Sequence, residues 1–407
     1  MAASQHARSV LISSHFPPLR GGAGVVYDQV CRHLVGQVIA LSASRDYTTN
    51  RPIPGTRDFD AQAPYRIIRL PLLRPPEGTR RSRLRSRLSV LFVDLPILLR
   101  TLAVTVWTSL SAGARVVCIG DLISLGWMAW PLRYFFHLKV MFYIHGEEIS
   151  VRNGGLFFRW RGASLRRAHA IVTVSEFARD FLVTRIGIDE AKIRLLRNGV
   201  DLQRFRPGSV DLAAAGAFGA SGARVILGVG RLIERKGFDT LIDAMPTVLA
   251  RVPEAQCLIV GEGPLRAELE RRIHAANLSD KVRLLGPVDD QALIELYRVA
   301  EVFAMPNRTT AAGDTEGFGL VFLEANACGK PVVAGRAGGA VEAVIDGCNG
   351  LLVNGESRGE VAAALIRLLT DHALYARLSA GASVRAAASG WAGRAEEYQA
   401  LCDSLIA

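Results

Sequence analysis

The stretch GDTEGFGLVFLEANACGKPVVAG, residues Gly313–Gly335, contains a loop, a helix and a strand in immediate succession. The segment LVFLEANAC is predicted to be a helix that Gly329 closes and Pro331 prevents from continuing. The apolar run KPVVAG that follows is typical of a buried strand. Helices that alternate with such strands indicate a parallel sheet covered on both faces.

The same alternation extends in both directions from this stretch. Seven candidate strands come before a break in the pattern: SVLISSHF, QVIALSAS, YRIIRLPL, ARVVCIGD, LKVMFYIHG, AIVTVS and IRLLRNG. Six come after it: RVILGVG, QCLIVGEG, VRLLGPV, EVFAMP, KPVVAG and GLLV. Two such series predict two doubly wound α/β domains, in which ligands bind at the carboxyl ends of the strands.

The break itself, residues 200–224, is rich in glycine, alanine and serine, a composition typical of a linker. We therefore predict an N-terminal domain over residues 1–203 and a C-terminal domain over residues 204–389. A last helical segment covers residues 390–407, and the pattern alone leaves open which domain it packs on.

The composition favours a folded protein with an anionic partner. Of 407 residues, 50% are hydrophobic and 21% are charged, which excludes a disordered chain. The net charge of +11 fits a nucleotide phosphate, an acidic membrane or a nucleic acid, although an arginine-rich composition alone would also give it. The six cysteines form no C-x-x-C pair and no apolar leader is present, so we expect a reducing cytoplasm.

One strongly apolar segment, Leu88–Leu110, has the length of a membrane span. It is interrupted by Asp94, Pro96 and Arg100. Charges near the centre of a bilayer are costly, so we predict a helix packed on a sheet rather than a span.

Two loops of the N-terminal domain contain candidate site residues. Gly21, Gly22 and Gly24 separate the first strand from the next helix, where backbone N–H groups can approach an oxyanion, or simply form a tight turn. His145 ends the strand VMFYIHG, either as a donor to a substrate hydroxyl or as a structural histidine.

The strand that opens the C-terminal domain is followed by Arg231 and Lys236, directly before a predicted helix. Two cations beside a helix N-terminus favour a diphosphate site, although two solvated loop cations would look the same. A second glycine pair, Gly338-Gly339, is either another phosphate-binding turn or a plain loop.

The opening stretch places Glu316 just before its helix and Glu324 inside it, eight positions apart. Each ionised carboxylate accepts hydrogen bonds from two hydroxyls, so the pair could bind the diols of a sugar nucleotide. Glu324 is flanked by leucine and alanine, which disfavours a solvent-exposed position on the helix. A buried acid needs a hydrogen-bond or ionic partner.

These residues, in this order, resemble the donor site of retaining glycosyltransferases of family four. Further segments with counterparts in that family are GGAG, HGEE, RNGVD, GRLIERKG and EGFGLVFLEANACGKPVVAG. The resemblance implies the GT-B architecture, in which two facing Rossmann-like doubly wound domains have a cleft between them. It also implies that the segment 390–407 packs back on the N-terminal domain.

The resemblance assigns expected roles to individual residues. Arg231 and Lys236 would bind the donor diphosphate, Glu324 the ribose hydroxyls and Glu316 the transferred sugar. Backbone N–H groups of Phe318, Gly319, Leu320 and Val321 would assist Glu316. Gly22 would lie by the diphosphate and His145 beside the transferring sugar, and backbone near Gly263 and Val288 would contact the base.

The resemblance implies a same-face reaction that retains the anomeric configuration and needs no cofactor and no metal. The leaving diphosphate would help to take the acceptor proton, and the cations would stabilise its charge. The long segment FAMPNRTTAAGDTEGFG resembles phosphatidylinositol-mannoside and polysaccharide mannosyltransferases. It favours GDP-mannose as the donor.

A basic segment over residues 74–87 precedes the apolar run and suggests where the acceptor side of the reaction takes place. Its arginines include Arg80, Arg81, Arg83, Arg85 and Arg87. They fit anionic lipid headgroups, and hence a lipid-linked or polysaccharide-precursor acceptor at the inner face of the cytoplasmic membrane. A solvated basic loop is the alternative.

Two other hypotheses stay open at this point. The first keeps the fold but uses a UDP-sugar donor and a soluble sugar or metabolite as acceptor. The second is a non-enzymatic nucleotide- or nucleic-acid-binding protein. The basic clusters lack the interleaved aromatic residues that stack on bases, so no nucleic-acid partner is expected.

Overall fold

The computed structural model of the protein describes residues 6–19, 21–76, 90–146, 156–209, 216, 218–219 and 222–407. The described strands form two sheets in which every pair of neighbours is parallel. Each candidate strand of the sequence corresponds to one of them, which confirms two doubly wound Rossmann-like domains.

The first sheet has seven strands in the order β3-β2-β1-β4-β5-β6-β7. They are β1 (Ser9–Ser13), β2 (Val38–Ala43), β3 (Ile67–Leu70), β4 (Val116–Ile119), β5 (Lys139–Ile144), β6 (Ala170–Thr173) and β7 (Ile193–Leu195). The helices of this unit are α1 (Gly22–His33), α2 (Thr56–Gln62), α3 (Leu95–Ala112), α4 (Leu122–Leu125), α5 (Ala129–Tyr134), α6 (Leu156–Arg167) and α7 (Glu176–Phe181). Strands β1, β2 and β4 are buried along their whole length because helices cover both faces of the sheet.

The second sheet has six strands in the order β10-β9-β8-β11-β12-β13. They are β8 (Arg224–Val229), β9 (Ala255–Val260), β10 (Val282–Gly286), β11 (Val302–Met305), β12 (Val332–Gly335) and β13 (Gly350–Val353). Its helices are α8 (Phe238–Leu249), α9 (Arg266–Ala275), α10 (Asp290–Val299), α11 (Leu320–Ala327), α12 (Ala340–Ala343), α13 (Arg358–Thr370) and α14 (His372–Ala387). From β8 the chain first adds β9 and β10 on one side and then adds β11, β12 and β13 on the other. The position between β8 and β11 is therefore the topological switch point, at which such sheets bind ligands.

The boundary between the two compact units differs from the predicted position after residue 203. The first unit extends to Arg197 and resumes at Trp391, and the second runs from Asn198 to Gly390. The reason is local: the Val200 N–H donates to the Ser389 carbonyl over 2.8 Å, and the buried Phe205 ring packs on Tyr297. The glycine-, alanine- and serine-rich stretch therefore lies within the second unit, whose first residue here is Asn198.

The last helix, α15 (Trp391–Ile406), belongs to the first unit and packs against α1 and β4. Tyr398 and Cys402 on this helix are fully buried. The carboxylate of Asp403 accepts the Ala7 N–H over 2.6 Å, so α15 holds the segment that leads into β1.

Helix α3 packs on the first sheet, as predicted for the apolar segment. However, several of its polar side chains are buried and several of its large apolar side chains are exposed. Its buried positions include Thr101, Thr105, Thr108 and Ser109, and the Thr101 hydroxyl donates to the Leu73 carbonyl over 3.0 Å. Its exposed positions include Leu95, Leu99, Trp107 and Leu110. Among the described helices, the segment Phe92–Ala112 is the one long and apolar enough to cross a membrane, and 28% of its 18-residue apolar window is buried.

Candidate functional site

The carboxyl-end loops of the second sheet approach each other so closely that they require glycine. A Cβ atom at Gly261, after β9, would lie 1.9 Å from the Gly230 carbonyl oxygen, after β8. A Cβ atom at Gly263 would lie 2.5 Å from the Leu232 carbonyl oxygen. These contacts fix the backbone on both sides of Arg231 and bring the predicted Gly263 against the same loop.

Lys236 and Glu316 form a closely paired ion pair in the second unit. The distance between Lys236 Nζ and Glu316 Oε2 is 2.5 Å, and the side chains are 11% and 10% exposed. Burial alone would raise the pKa of Glu316, but Lys236, the nearby Arg235 and the Phe318 N–H together lower it below its usual range. Glu316 is therefore held as a carboxylate, able to accept further hydrogen bonds.

The backbone around Glu316 is held by the glycine pair that the sequence left ambiguous. The Gly339 N–H donates to the Glu316 carbonyl over 2.8 Å. Gly338 has a φ of 58°, and a Cβ atom there would lie 2.3 Å from the same carbonyl oxygen. The Gly338-Gly339 loop thus supports Glu316 and has a structural role that the sequence did not reveal.

Helix α11 (Leu320–Ala327) begins shortly after Glu316 in the chain. Its N-cap residue, Gly319, has a φ of 91° and supplies no side-chain cap. The N–H groups at the start of a helix lack partners within the helix, so the turn over Leu320 and Val321 is a favourable place for an anion or a sugar oxygen. The predicted Phe318 N–H instead donates to the Glu316 carboxylate.

Arg231 differs from Lys236 in its surroundings. Its side chain is exposed and has no hydrogen-bond or ion-pair partner within the described residues. Arg235, which the sequence analysis did not select, is instead buried and donates to both carboxylate oxygens of Asp314, over 3.0 and 3.1 Å. The arginine that remains available to a ligand is therefore the predicted one.

Glu324 lies half-buried on α11 and obtains a partner from a neighbouring helix. The Tyr297 hydroxyl donates to Glu324 Oε2 over 2.7 Å. Burial raises the pKa of Glu324, and the Tyr297 hydrogen bond and Arg204 oppose that shift only in part. The other carboxylate oxygen, Oε1, has no hydrogen-bond partner in the described part of the chain and can accept a ligand hydroxyl.

Other sequence-predicted residues lie close to this constellation or outside the described residues. Val288 follows β10 at the same edge of the sheet and is half-buried. The arginines of the basic segment fall outside the described residues: Arg80, Arg81, Arg83, Arg85 and Arg87.

The predicted residues of the first unit lie at the carboxyl edge of its own sheet. Gly22 begins α1. The His145 ring stacks on Tyr143 at 4.8 Å and meets the edge of Tyr27 at 5.0 Å. This aromatic packing fixes the orientation of the imidazole, and the roles of Gly22 and His145 toward a donor stay predictions.

Sequence reasoning missed Tyr297, Asp314 and the supporting role of Gly338. Tyr297 and Glu324 are 27 positions apart and on different helices, so no local spacing relates them. A cavity of about 470 Å³ beside Arg308 and Arg336 contains none of the predicted residues. We therefore base the site on Arg231, Lys236, Glu316, Glu324 and the start of α11.

Two family models match the chain, each over one unit. The model described as Glycosyltransferase Family 4 matches residues 20–204, and the model described as Glycosyl transferases group 1 matches residues 217–385. The second match contains every residue of the second unit that the sequence predicts for the donor site.

The chain is also similar to characterised enzymes along most of its length. It is 32% identical over 396 residues to a protein of Mycolicibacterium smegmatis named GDP-mannose-dependent alpha-(1-6)-phosphatidylinositol monomannoside mannosyltransferase, covering 95% of this chain and 92% of that one. It is 35% identical over 286 residues to a protein of Corynebacterium glutamicum named GDP-mannose-dependent monoacylated alpha-(1-6)-phosphatidylinositol monomannoside mannosyltransferase, covering 69% and 70% of the two chains.

Solved structures show the same fold. HepE of Anabaena, crystallised with UDP and glucose, superposes with a TM-score of 0.79 at 19% identity, over 98% of this chain and 100% of that one. Sucrose-phosphate synthase of Thermosynechococcus elongatus gives a TM-score of 0.76 at 26% identity, over 98% and 99% of the two chains. The protein is thus a hexosyltransferase of the GT-B fold and belongs to glycosyltransferase family 4, whose group 1 module forms its second unit.

Proposed function

We propose that the protein transfers mannose from GDP-mannose to a lipid-linked or polysaccharide-precursor acceptor, with retention of the anomeric configuration and without a metal ion. The names of the two bacterial relatives, both GDP-mannose-dependent mannosyltransferases acting on a mannosylated phosphatidylinositol, support this donor and this class of acceptor.

The observation that carries the proposal is the Lys236–Glu316 pair beside the exposed Arg231 and the start of α11. Arg231 and Lys236 bind the donor diphosphate, and Glu316 accepts hydrogen bonds from mannose hydroxyls. Glu324, anchored through one oxygen by Tyr297, accepts the ribose hydroxyls through the other. Backbone near Gly263 and Val288 contacts the base.

In the proposed reaction the bond between the anomeric carbon and the diphosphate oxygen breaks as the acceptor oxygen approaches the same face. Negative charge then develops on the leaving diphosphate. Arg231, Lys236 and the N–H groups of Gly319–Val321 stabilise that charge, since donors that are in place beforehand need no reorganisation during the reaction. The acceptor proton goes to the departing GDP, so no protein base is required.

Helix α3 supports a peripheral contact with an anionic membrane. It exposes Leu95, Leu99, Trp107 and Leu110, and the basic segment over residues 74–87 precedes it in the chain. Apolar side chains in the interface and arginines near anionic headgroups each add to membrane affinity. A contact of this kind would bring the enzyme to a lipid-linked acceptor.

The experiment that tests the donor is thermal unfolding with GDP, UDP, ADP or dTDP, with and without EDTA. A ligand at 100 times its Kd stabilises by about 2.7 kcal/mol, so the shift is readily measured. Stabilisation by GDP alone, unchanged by EDTA, is expected. Stabilisation by UDP alone would refute the donor assignment, and no stabilisation would refute the donor site. The anomeric configuration of the product, read by NMR with phosphatidylinositol monomannoside as acceptor, tests retention.

A second candidate is transfer from a UDP-sugar to a soluble acceptor. Its soluble acceptor is favoured by a 37% match over 224 residues to a protein of Catenulispora acidiphila named D-inositol 3-phosphate glycosyltransferase 2, which covers 53% of this chain and 51% of that one. The same nucleotide series distinguishes the two donors. Turnover with inositol phosphate in place of phosphatidylinositol monomannoside distinguishes the two acceptors.

A further inference from the structure

A cavity of about 470 Å³ lies at the carboxyl edge of the second sheet, and its lining residues are distinct from those of the proposed donor site. Its walls come from the loops that follow three neighbouring strands. Residues 307–309 follow β11, Arg336 and Ala337 follow β12, residues 354–356 follow β13, and Glu360 lies in the first turn of α13. We call it the edge cavity. Its volume is within the range of small-molecule sites, about 300–1,000 Å³.

The fully buried Asn307 joins the loops that form the edge cavity. Its Oδ1 accepts the Gly335 N–H over 3.0 Å, and its Nδ2 donates to the Ala337 carbonyl over 3.0 Å. The third loop packs on the same residue, because a Cβ atom at Gly355 would lie 2.3 Å from the Asn307 carbonyl oxygen. The three loops are therefore held together by the protein itself.

The loop after β13 is ordered by further hydrogen bonds. Ser357 caps α13 and accepts the Glu360 N–H over 3.3 Å. The Glu360 carboxylate accepts the Asn354 N–H over 2.8 Å, and Asn354 Oδ1 accepts the Glu356 N–H over 3.0 Å. These bonds fix the backbone that carries Asn354 and Glu356.

Both acceptors and donors in the edge cavity remain available to a ligand. The carboxylate of Glu356 accepts no hydrogen bond from the residues that the structure describes, and Asn354 Nδ2 donates none to them. The Arg336 side chain is 59% exposed. A ligand that both donates and accepts hydrogen bonds matches this lining.

The charges that line the edge cavity balance. Its charged side chains are two arginines and two glutamates: Arg308, Arg336, Glu356 and Glu360. The charge of Arg308 is compensated further, because its Nη1 and Nη2 each donate to a carboxylate oxygen of Asp239 over 2.9 Å. The lining therefore favours an uncharged ligand over a phosphate.

The remaining arginine is not arranged to bind an anion. Arg336 Nη2 donates to the Leu352 carbonyl over 3.0 Å and to Asp346 Oδ2 over 3.4 Å. Arg336 therefore has no unused pair of parallel N–H groups for a bidentate contact with a carboxylate or a phosphate. Its other N–H groups can each donate to one neutral oxygen. A carboxylate such as Glu356 accepts from two hydroxyls, so the combination suits the vicinal diol of a sugar.

Two hydrogen bonds connect the edge cavity to the loops of the donor site. The Arg308 N–H donates to the Arg235 carbonyl over 2.9 Å, and the Thr309 hydroxyl donates to Thr315 Oγ1 over 2.9 Å. Arg235 and Thr315 stand directly before the two partners of the Lys236–Glu316 pair in the chain. A ligand in the edge cavity therefore contacts the loops that carry this pair.

We propose that the edge cavity is a second sugar-binding subsite, which binds a neutral hexose unit other than the one that is transferred. Glu356 accepts from two adjacent hydroxyls of that unit, and Arg336 and Asn354 donate to its oxygens. The subsite goes beyond the proposed function, which assigns no ligand to these loops. The source of such a unit is a glycan that already carries sugar.

The test measures the binding of methyl α-mannoside and of methyl α-glucoside to the full chain by saturation-transfer NMR. The wild type should bind at least one of the two glycosides. Glu356→Ala and Arg336→Met should each raise its Kd by about ten-fold, the value of one hydrogen bond to a charged group. Glu316→Gln should leave this Kd unchanged, because Glu316 is assigned to the sugar of the donor.

Two further variants serve as controls. Glu356→Gln keeps one accepting oxygen and should retain part of the affinity that Glu356→Ala loses. Glu254→Ala removes an exposed carboxylate just before β9, at the opposite edge of the sheet, and should leave the Kd unchanged. The nucleotide that stabilises the wild type against heat should stabilise Glu356→Ala equally. A smaller stabilisation would contradict a subsite separate from the donor site.

Several outcomes would overturn the subsite. These are a wild type that binds neither glycoside, binding that is unaffected by Glu356→Ala and Arg336→Met, and binding that Glu316→Gln abolishes. Inorganic phosphate that binds more tightly to Glu356→Ala and more weakly to Arg336→Met would instead show an anion site. Binding of glycine without either glycoside would show a zwitterion site. Absence of turnover with GDP-mannose refutes the proposed function alone, since no measurement here requires turnover.

Discussion

Breaking the Lys236–Glu316 pair should cost stability and activity together. The substitution Lys236→Met keeps the length of the side chain and removes its charge, which leaves Glu316 ionised with about a tenth of its side chain exposed. Removal of one partner of a buried ion pair costs roughly 3–5 kcal/mol. Since Arg235 also acts on Glu316, we expect the lower end, about 3 kcal/mol of the free energy of unfolding.

The double variant Lys236→Met/Glu316→Gln completes the cycle. It leaves no unpaired charge, so it should recover at least about half of the loss, and the coupling energy should exceed about 1 kcal/mol. Urea unfolding of the four proteins measures this, and near-UV circular dichroism checks that each is folded. A coupling energy below about 0.5 kcal/mol would refute the idea that the pair acts as a unit.

The same variants make a prediction about pH. The pKa of Glu316 is lowered in the folded protein, so its ionised form contributes stability that is present above the usual carboxyl range and is lost as the pH falls through the lowered pKa. Lys236→Met should weaken this dependence. The two single variants, Lys236→Met and Glu316→Gln, should also lower kcat by about 100-fold or more. The first removes a group that acts on the developing charge, and the second removes a group that acts on the sugar.

The remaining predictions concern the hydrogen bond from Tyr297 to Glu324, the exposed face of α3, and Gly338. Tyr297→Phe leaves the Glu324 carboxylate without its donor and should cost about 1–3 kcal/mol, measured by urea unfolding, with a larger KM for GDP-mannose; an unchanged KM would argue against a role for Glu324 at the ribose. Trp107→Ser with Leu110→Ser, both on the exposed face of α3, should change the free energy of unfolding by less than about 0.5 kcal/mol yet reduce sedimentation with anionic vesicles; undiminished sedimentation would rule out this face. Gly338→Ala meets both a positive φ and the Glu316 carbonyl oxygen, so it should lower Tm by several degrees. An unchanged Tm, or a variant protein that is insoluble, would contradict a local effect on Glu316.

The strand series was predictable because its signal is local, and the candidate donor-site residues were chosen on equally local signals. A buried parallel strand is a continuous apolar run, and Arg231, Lys236 and Glu316 each follow such a run or precede a helix within a few residues. The glycosyltransferase family could likewise be recognised from the order of these short motifs, and the comparisons confirm it.

What the sequence could not provide depends on contacts between distant residues. Tyr297 reaches Glu324 from another helix, and the domain boundary shifts because Val200 pairs with the segment before α15. His15 and Asp121 approach each other only because β1 and β4, which precede them, are neighbours in the sheet. Apolar composition predicted that α3 packs on the sheet, yet its buried side contains the hydroxyls of Thr101 and Thr105, which donate to backbone carbonyls, a pattern that a hydropathy scale does not detect.

The helix α15 has a consequence for the order of events during synthesis. The first unit is made early, but Trp391, Tyr398 and Cys402 are part of its interior. At roughly 5–20 residues per second, the ribosome needs on the order of ten to forty seconds to pass from β7 to the end of α15. Until then the surface of α1 that α15 covers remains exposed to solvent and to chaperones. The unit that emerges first from the ribosome is therefore the one that finishes folding last.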